Sequence, residues 1–179
     1  MKRVIISLII IILSILFLPG FNSITRSQSI DIEKKEVLYQ LPFPGILPGH
    51  PLYFLKSLRD QILIFTTRDK AKKANLYLRL SDRHMSAAEA LVNDGKELLA
   101  VSELNRAEEM FLEIPDMLKD LKSQGGDYPE ELVLDLNQSN LKHREVIANV
   151  LEKSSQGEIS AMENLIKLNN DAKKQLEKL

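Results

Sequence analysis

Histidine is the side chain best suited to binding a metal or moving a proton near neutral pH, and it occurs here three times, at 50, 84 and 143. His84 and His143 fall on the apolar arcs of two separate helical stretches. Two imidazoles arriving from different helices are candidates to meet and, with a carboxylate, to hold a metal ion. The spacing favours a plainer role. Neither stretch carries the Glu-x-x-His pair of di-iron bundles or a His-Glu-x-x-His, and a buried, hydrogen-bonded histidine needs no metal. His50 adjoins Pro51 and is expected to face solvent or to cap the helix that follows. Nucleophilic chemistry has fewer candidates still. There is no cysteine, no Gly-x-Ser-x-Gly turn, and the one Gly pair, Gly125-Gly126, is not followed by the Lys-Ser or Lys-Thr of a phosphate loop. No catalytic residue, cofactor-binding residue or cofactor is therefore expected, and the abundant acids are expected mostly on solvated outer faces.

The elements that would position these side chains are helices. Pro51 suits a first helical position, and Leu55, Leu58, Ile62 and Phe65 recur at three and four residues as the inward face of a first helix. Thr67-Arg68-Asp69 breaks it, with Thr67 or Asp69 as the next N-cap. A second helix runs from about Lys70 to Asn93, inward along Ala74, Leu78, Met85, Ala88 and Val92, and stops at Asp94-Gly95. The third carries the cleanest seam: Ala100, Leu104, Ala107, Phe111, Ile114, Leu118 and Leu121 alternate by four and three. Pro115 lies inside that seam without changing its phase, which predicts a kink and not a new helix. After the Gln124–Asp127 loop, Pro129-Glu130-Glu131 opens a fourth helix facing inward through Leu132, Leu136, His143, Val146 and Val150. A break near Ser155-Gln156-Gly157 leads to a last helix with Met162, Leu165, Asn169, Ala172, Leu176 and Leu179 inward. No strand of useful length appears. The fold class is all-α, an antiparallel bundle of about five helices; a helical solenoid is the lesser alternative, since no motif repeats at a fixed period.

Two segments precede the bundle. Lys2 and Arg3 lead into Val4–Leu18, apolar except for Ser7 and Ser14, the pattern of an export signal. At ~1.5 Å per residue that run spans roughly 22 Å, less than the ~30 Å of a hydrocarbon core. A cleaved signal, with Ser27 and Ser29 as the small residues before the cut, and a short membrane anchor are both open. Without cysteine a lipoprotein-type lipid anchor is excluded. From Leu41 to Pro51 four prolines and two glycines forbid a helix and define an extended strap, whose Leu41, Phe43, Ile46 and Leu47 are expected to lie across the bundle. Tyr53 and Phe54 are expected to fix the angle at which the chain enters it. Residues 30–179 hold 21 basic and 25 acidic side chains, a net charge of −4, so nothing points to nucleic acid as a partner.

The segment LPFPGILPGHPLYFLKSLRD resembles an uncharacterised bacterial domain family, a domain of unknown function numbered 5667. The resemblance rests on Pro44, Gly45, Ile46, Leu47, Pro48, Pro51, Leu52, Tyr53, Leu55, Lys56 and Arg59. It continues through Lys72, Lys73, Ala74, Leu80, Asp82 and Arg83. It covers roughly residues 41–110 and implies a signal-bearing helical protein, with no activity attached.

The expected organisation is a signal peptide or anchor over residues 1–29, a linker and strap over 30–50, and a helical bundle over 51–179. The expected function is that of an exported or membrane-anchored, non-enzymatic binding or scaffolding module outside the cytoplasmic membrane. A metal-binding or metal-sensing bundle using His84 and His143 is the alternative. Partners would be the membrane through residues 4–18 if uncleaved, and a protein or a second copy through the third-helix seam.

Overall fold

Asp69 begins the bundle by capping its first long helix: its carboxylate accepts a hydrogen bond of 2.8 Å from the Lys72 backbone N–H, satisfying one of the donors a helix start leaves open. The computed structural model describes residues 37–154 and 159–179. Its helices are α1 (Tyr53–Thr66), α2 (Lys70–Asn93), α3 (Glu97–Leu112), α4 (Ile114–Ser123), α5 (Glu130–Lys153) and α6 (Ile159–Leu176). Among the described residues there is no strand, and no helix is long and apolar enough to cross a membrane. The apolar run Val4–Leu18, the cleavage point after Ser29 and the Ser155–Gly157 break lie outside the described residues.

Two helical hairpins make the core. Helix α2 packs on α3 and on α5, α6 packs on α5 and on α3, and α4 leans chiefly on α2. The α2–α3 turn follows from Gly95, whose positive φ of 72° reverses the chain. The Lys96 N–H then reaches the Leu91 carbonyl and the Gly95 N–H the Val92 carbonyl, closing the last turn of α2. Gly125 repeats the device after α4. Beside it Gly126 has no room for a side chain, because a Cβ would collide with Leu121.

The inward residues expected on α2, α3, α5 and α6 are buried, from Ala74 and Leu78 through Leu104 and Phe111 to Met162 and Leu176, while Leu121 and Leu179, also expected inward, are partly buried. Two expectations are corrected. Pro115 marks a new helix and not a kink: α3 ends at Leu112 and α4 starts at Ile114 with the proline in its first turn. A proline lacks the N–H that would bond the Phe111 carbonyl, and its ring crowds that carbonyl, so the break comes just before it. The buried seam still runs through Ile114 and Leu118 because α4 resumes in phase.

The second correction reverses α1. Leu55, Leu58, Ile62 and Phe65 were the inward face by periodicity, yet they are 48%, 50%, 53% and 87% exposed. The buried residue of α1 is Lys56. Phe54 also points outward, while Ile64 packs against the core. Within the strap, Leu41 and Leu47 pack on the core and Phe43 stands exposed.

Replacing outward apolar residues of α1 should therefore leave stability within about 0.5 kcal/mol. Urea denaturation of a Leu58→Gln, Ile62→Gln double variant is expected to overlay the wild type, whereas Leu104→Ala should lose about 2–5 kcal/mol. A loss of the second size in the double variant would mean that this face is buried in solution.

Candidate functional site

Polar side chains interrupt the core at one level, and all four long helices contribute. On α2, Asp82 comes between Leu78 and Met85; on α3, Glu108 follows Ala107 and precedes Phe111. On α5, Ser139, Asn140 and His143 separate Leu136 from Val146, and on α6 Asn169 separates Leu165 from Ala172. All are at most 3% exposed. The apolar core accordingly forms two clusters, one holding Met85, Leu104, Val146 and Leu165, the other Leu78, Phe111, Leu136 and Ala172.

His143 joins the belt. Its Nε2 lies 3.0 Å from Asp82 Oδ1 and its Nδ1 3.1 Å from Glu108 Oε1. Two carboxylates, one on each ring nitrogen, call for a doubly protonated imidazolium that donates to both. Burial alone would push its pKa down; the hydrogen bonds it donates to Asp82 and Glu108, and their charges, outweigh burial and hold it up at about 9. Ser139 donates to Asp82 Oδ1 at 2.6 Å, and Tyr39, from the chain ahead of the strap, donates to Asp82 Oδ2 at 2.6 Å. Burial and then the Asp82 contact raise the Tyr39 pKa. Asn140 and Asn169 each donate a side-chain amide to the other's backbone carbonyl at 3.1 Å, tying α5 to α6. Glu108 Oε2 is left without a partner.

The belt contains the residue types of a nucleophilic triad, since Glu108 meets Nδ1 and Ser139 Oγ lies 3.3 Å from Nε2. It cannot act as one. A general base must be free to accept the serine proton, whereas this imidazole is already protonated and the serine proton is committed to Asp82. His143, Glu108 and Ser139 are each 0% exposed, closed to any substrate.

A second network fixes α1 and the strap. Lys56 reaches inward and donates to the Pro44 carbonyl at 2.8 Å and the Ile46 carbonyl at 3.3 Å. Burial lowers its pKa, opposed by the Glu103 charge. Tyr53 donates to Glu103 Oε1 at 3.0 Å, and His84 Nδ1 meets Glu103 Oε2 at 2.7 Å. Burial first, then the Glu103 charge and hydrogen bond, raise the Tyr53 pKa to about 12. Glu103 itself is held low: burial would raise it, but the bonds and charge of His84, the Tyr53 bond and Arg106 prevail. A cleft of about 170 Å³ lies alongside, lined by Tyr53, Lys56, Asp60, His84, Arg106 and Glu109 among others.

The structure therefore gives the two candidate histidines separate partners, His84 with Glu103 and His143 with Asp82 and Glu108. Among the described residues no group of three or more His, Asp or Glu is arranged to hold a metal ion. His50 is exposed and its Nδ1 accepts from the Leu52 N–H at 3.1 Å. Of the motif residues, Pro44, Ile46, Tyr53 and Lys56 meet in the clasp just described, while Gly45 supplies a turn at φ 73°. Leu52 and Leu55 face outward, and Arg59 pairs with its neighbour Asp60. Sequence reasoning named Asp82 only within the resemblance, with no role, and missed Glu103, Glu108 and Ser139. The available signal was position: Glu108 is four residues after Leu104 and three before Phe111, inside the buried arc and not outside it.

A family model described as a domain of unknown function (DUF5667) matches residues 45–157. No curated protein and no solved structure matches the chain.

Removing His143 would leave two carboxylates facing one another in the core. His143→Ala is expected to cost about 3–5 kcal/mol in urea denaturation, with Glu108→Gln costing less because no charge is then orphaned. The pH dependence has a definite sign. The folded pKa, about 9, lies above the ordinary 6.5, so this stabilisation is complete below about 6.5 and is lost as pH rises through about 9. Melting temperatures measured across that window should fall in the wild type and stay flatter in a folded His143 variant. A wild-type profile with no fall would refute a charged His143.

Proposed function

The chain belongs to the DUF5667 family of domains of unknown function, and we propose that it is an exported or membrane-anchored, non-enzymatic module that binds or scaffolds on the outer side of the cytoplasmic membrane. One observation carries the reading. Helix α1 turns Phe54, Leu55, Leu58, Ile62 and Phe65 to solvent while the bundle takes its polar side. A soluble domain gains nothing from that orientation on its own, and contiguous exposed apolar surface is the usual mark of an interaction site.

Export is supported by Lys2, Arg3 and the apolar run Val4–Leu18, through the charge-then-apolar order that export machinery reads. The non-enzymatic part is supported by the sealed belt, where the side chains with the most chemical potential are committed to one another. Helix α1 meets the bundle through Lys56 and Ile64 and not through its outward apolar residues, so it can present its outer face without loosening the fold.

The test is the protein isolated from its own cells, fractionated and sequenced from its N-terminus. Recovery with the membrane and an intact N-terminus supports an anchor; recovery outside the cytoplasm beginning near Ile30 supports a cleaved signal. Full-length protein in the cytoplasm would overturn the export half of the proposal. The binding half predicts that the folded protein enhances the fluorescence of an apolar dye, and that Leu58→Gln with Ile62→Gln removes most of the enhancement without lowering the melting temperature. Equal enhancement in both proteins would remove α1 as the binding surface.

A further inference from the structure

We infer that the outer face of α1 docks on an anionic lipid bilayer, lying in the interface parallel to the membrane; this rests on the binding-module reading above and names the partner. At 3.6 residues per turn Phe54, Leu55, Leu58, Ile62 and Phe65 fall within an arc of about 100°, and the five are 48–87% exposed. The opposite arc holds Tyr53, Lys56, Asp60 and Ile64, which face the bundle. An apolar stripe of this width, with two phenylalanines, on a helix of 14 residues is the form of an interfacial helix that buries its face roughly 5–10 Å into the headgroup boundary.

Charge selects the kind of surface. Residues 53–83 hold eight basic and three acidic side chains, a net charge of +5, whereas residues 84–179 hold 11 basic and 19 acidic, a net charge of −8. Arg59 borders the apolar arc, Arg68 follows the end of α1, and both are exposed. Basic groups near a membrane are attracted to anionic headgroups, and the acidic remainder of the chain would be repelled, which orients the module with α1 down. A second copy fits less well, because a two-fold contact through α1 would bring the two arginines of one copy, Arg59 and Arg68, toward those of the other.

The chain also supplies proximity. If Val4–Leu18 enters the bilayer, the residues from there to Tyr53 reach at most roughly 120 Å even when fully extended. Helix α1 is then held near the same membrane, and a weak apolar contact becomes an intramolecular one.

The absence of cysteine permits a direct test on the full chain. Leu58→Cys and Ile62→Cys, each labelled with an environment-sensitive fluorophore, place the probe on the exposed face without touching the core. Asn137→Cys on exposed α5 is the control. In phosphatidylglycerol–phosphatidylcholine vesicles carrying nitroxide lipids, the labels at 58 and 62 should shift to the blue and be quenched, and the label at 137 should not. The effect should weaken in phosphatidylcholine alone and at high salt. Arg59→Gln with Arg68→Gln should lower the docking equilibrium roughly 30-fold, from about a fivefold loss at each charge. Equal quenching in both lipids would overturn the anionic preference. A blue shift without vesicles, whether or not it grows with protein concentration, would overturn lipid as the occupant in favour of another copy or of the chain's own apolar run, leaving the binding-module reading intact. Labels at 58 and 62 that stay in water under every condition would overturn both.

Discussion

A charge placed at the centre of four packed helices must find an opposite charge there, and this requirement organises the molecule. Asp82, Glu108 and His143 come from three different helices, and each is intolerable in the core without the others. Their meeting sets the height of α2 against α3 and of both against α5. The reciprocal amides of Asn140 and Asn169 then set α6. A slip of one turn would place Asp82 among the leucines of one cluster or the methionines of the other, so register is specified far more sharply than apolar side chains alone would do it. Coiled coils use a single buried polar residue in the same way. The arrangement costs something: Glu108 Oε2 finds no partner, and two carboxylates share one cation.

The same logic of satisfied polar groups explains why α1 faces the way it does. The strap cannot form a helix, so its carbonyls need other donors. Lys56 provides one for Pro44 and Ile46, and a lysine can do so only from the buried side of its helix. Tyr53 must reach Glu103 from that side too. Once Tyr53 and Lys56 are turned inward, helical geometry sends positions 54, 55, 58, 62 and 65 outward. The recognisable motif of this chain is thus a clasp between strap and helix, and the exposed apolar face is its geometric consequence.

Much of the fold was legible because it depends on local chemistry. The glycine reversal at Gly95 and the four-three spacing on α3 each have one physical meaning, and each was read correctly; at Thr67-Arg68-Asp69 two N-caps were open, and the bond from the Lys72 N–H selects Asp69. The misreadings came where a pattern has two. Periodicity locates a face on α1 but carries no sign: it cannot say whether the bundle or an outside surface covers that face, and only the partners of Lys56 decide. Pro115 preserved the phase of the seam, which a kink and a restarted helix do equally. The candidate histidines were rightly placed inward, but their partners were not legible, because Glu108 and Asp82 look like ordinary surface acids until the opposite helix supplies His143.

These features together separate what holds the molecule from what it offers. Its most reactive side chains are spent on internal order: the imidazolium is locked between carboxylates, the serine donates to one of them, and the tyrosines of strap and α1 are tied to buried acids. Here the groups left facing outward on α1 are leucine, isoleucine and phenylalanine, on a helix held to the bundle by polar bonds that do not need those residues. Substitutions along that face can therefore retune what it meets without disturbing the register lock beneath, whereas the belt can change only if all its members change together.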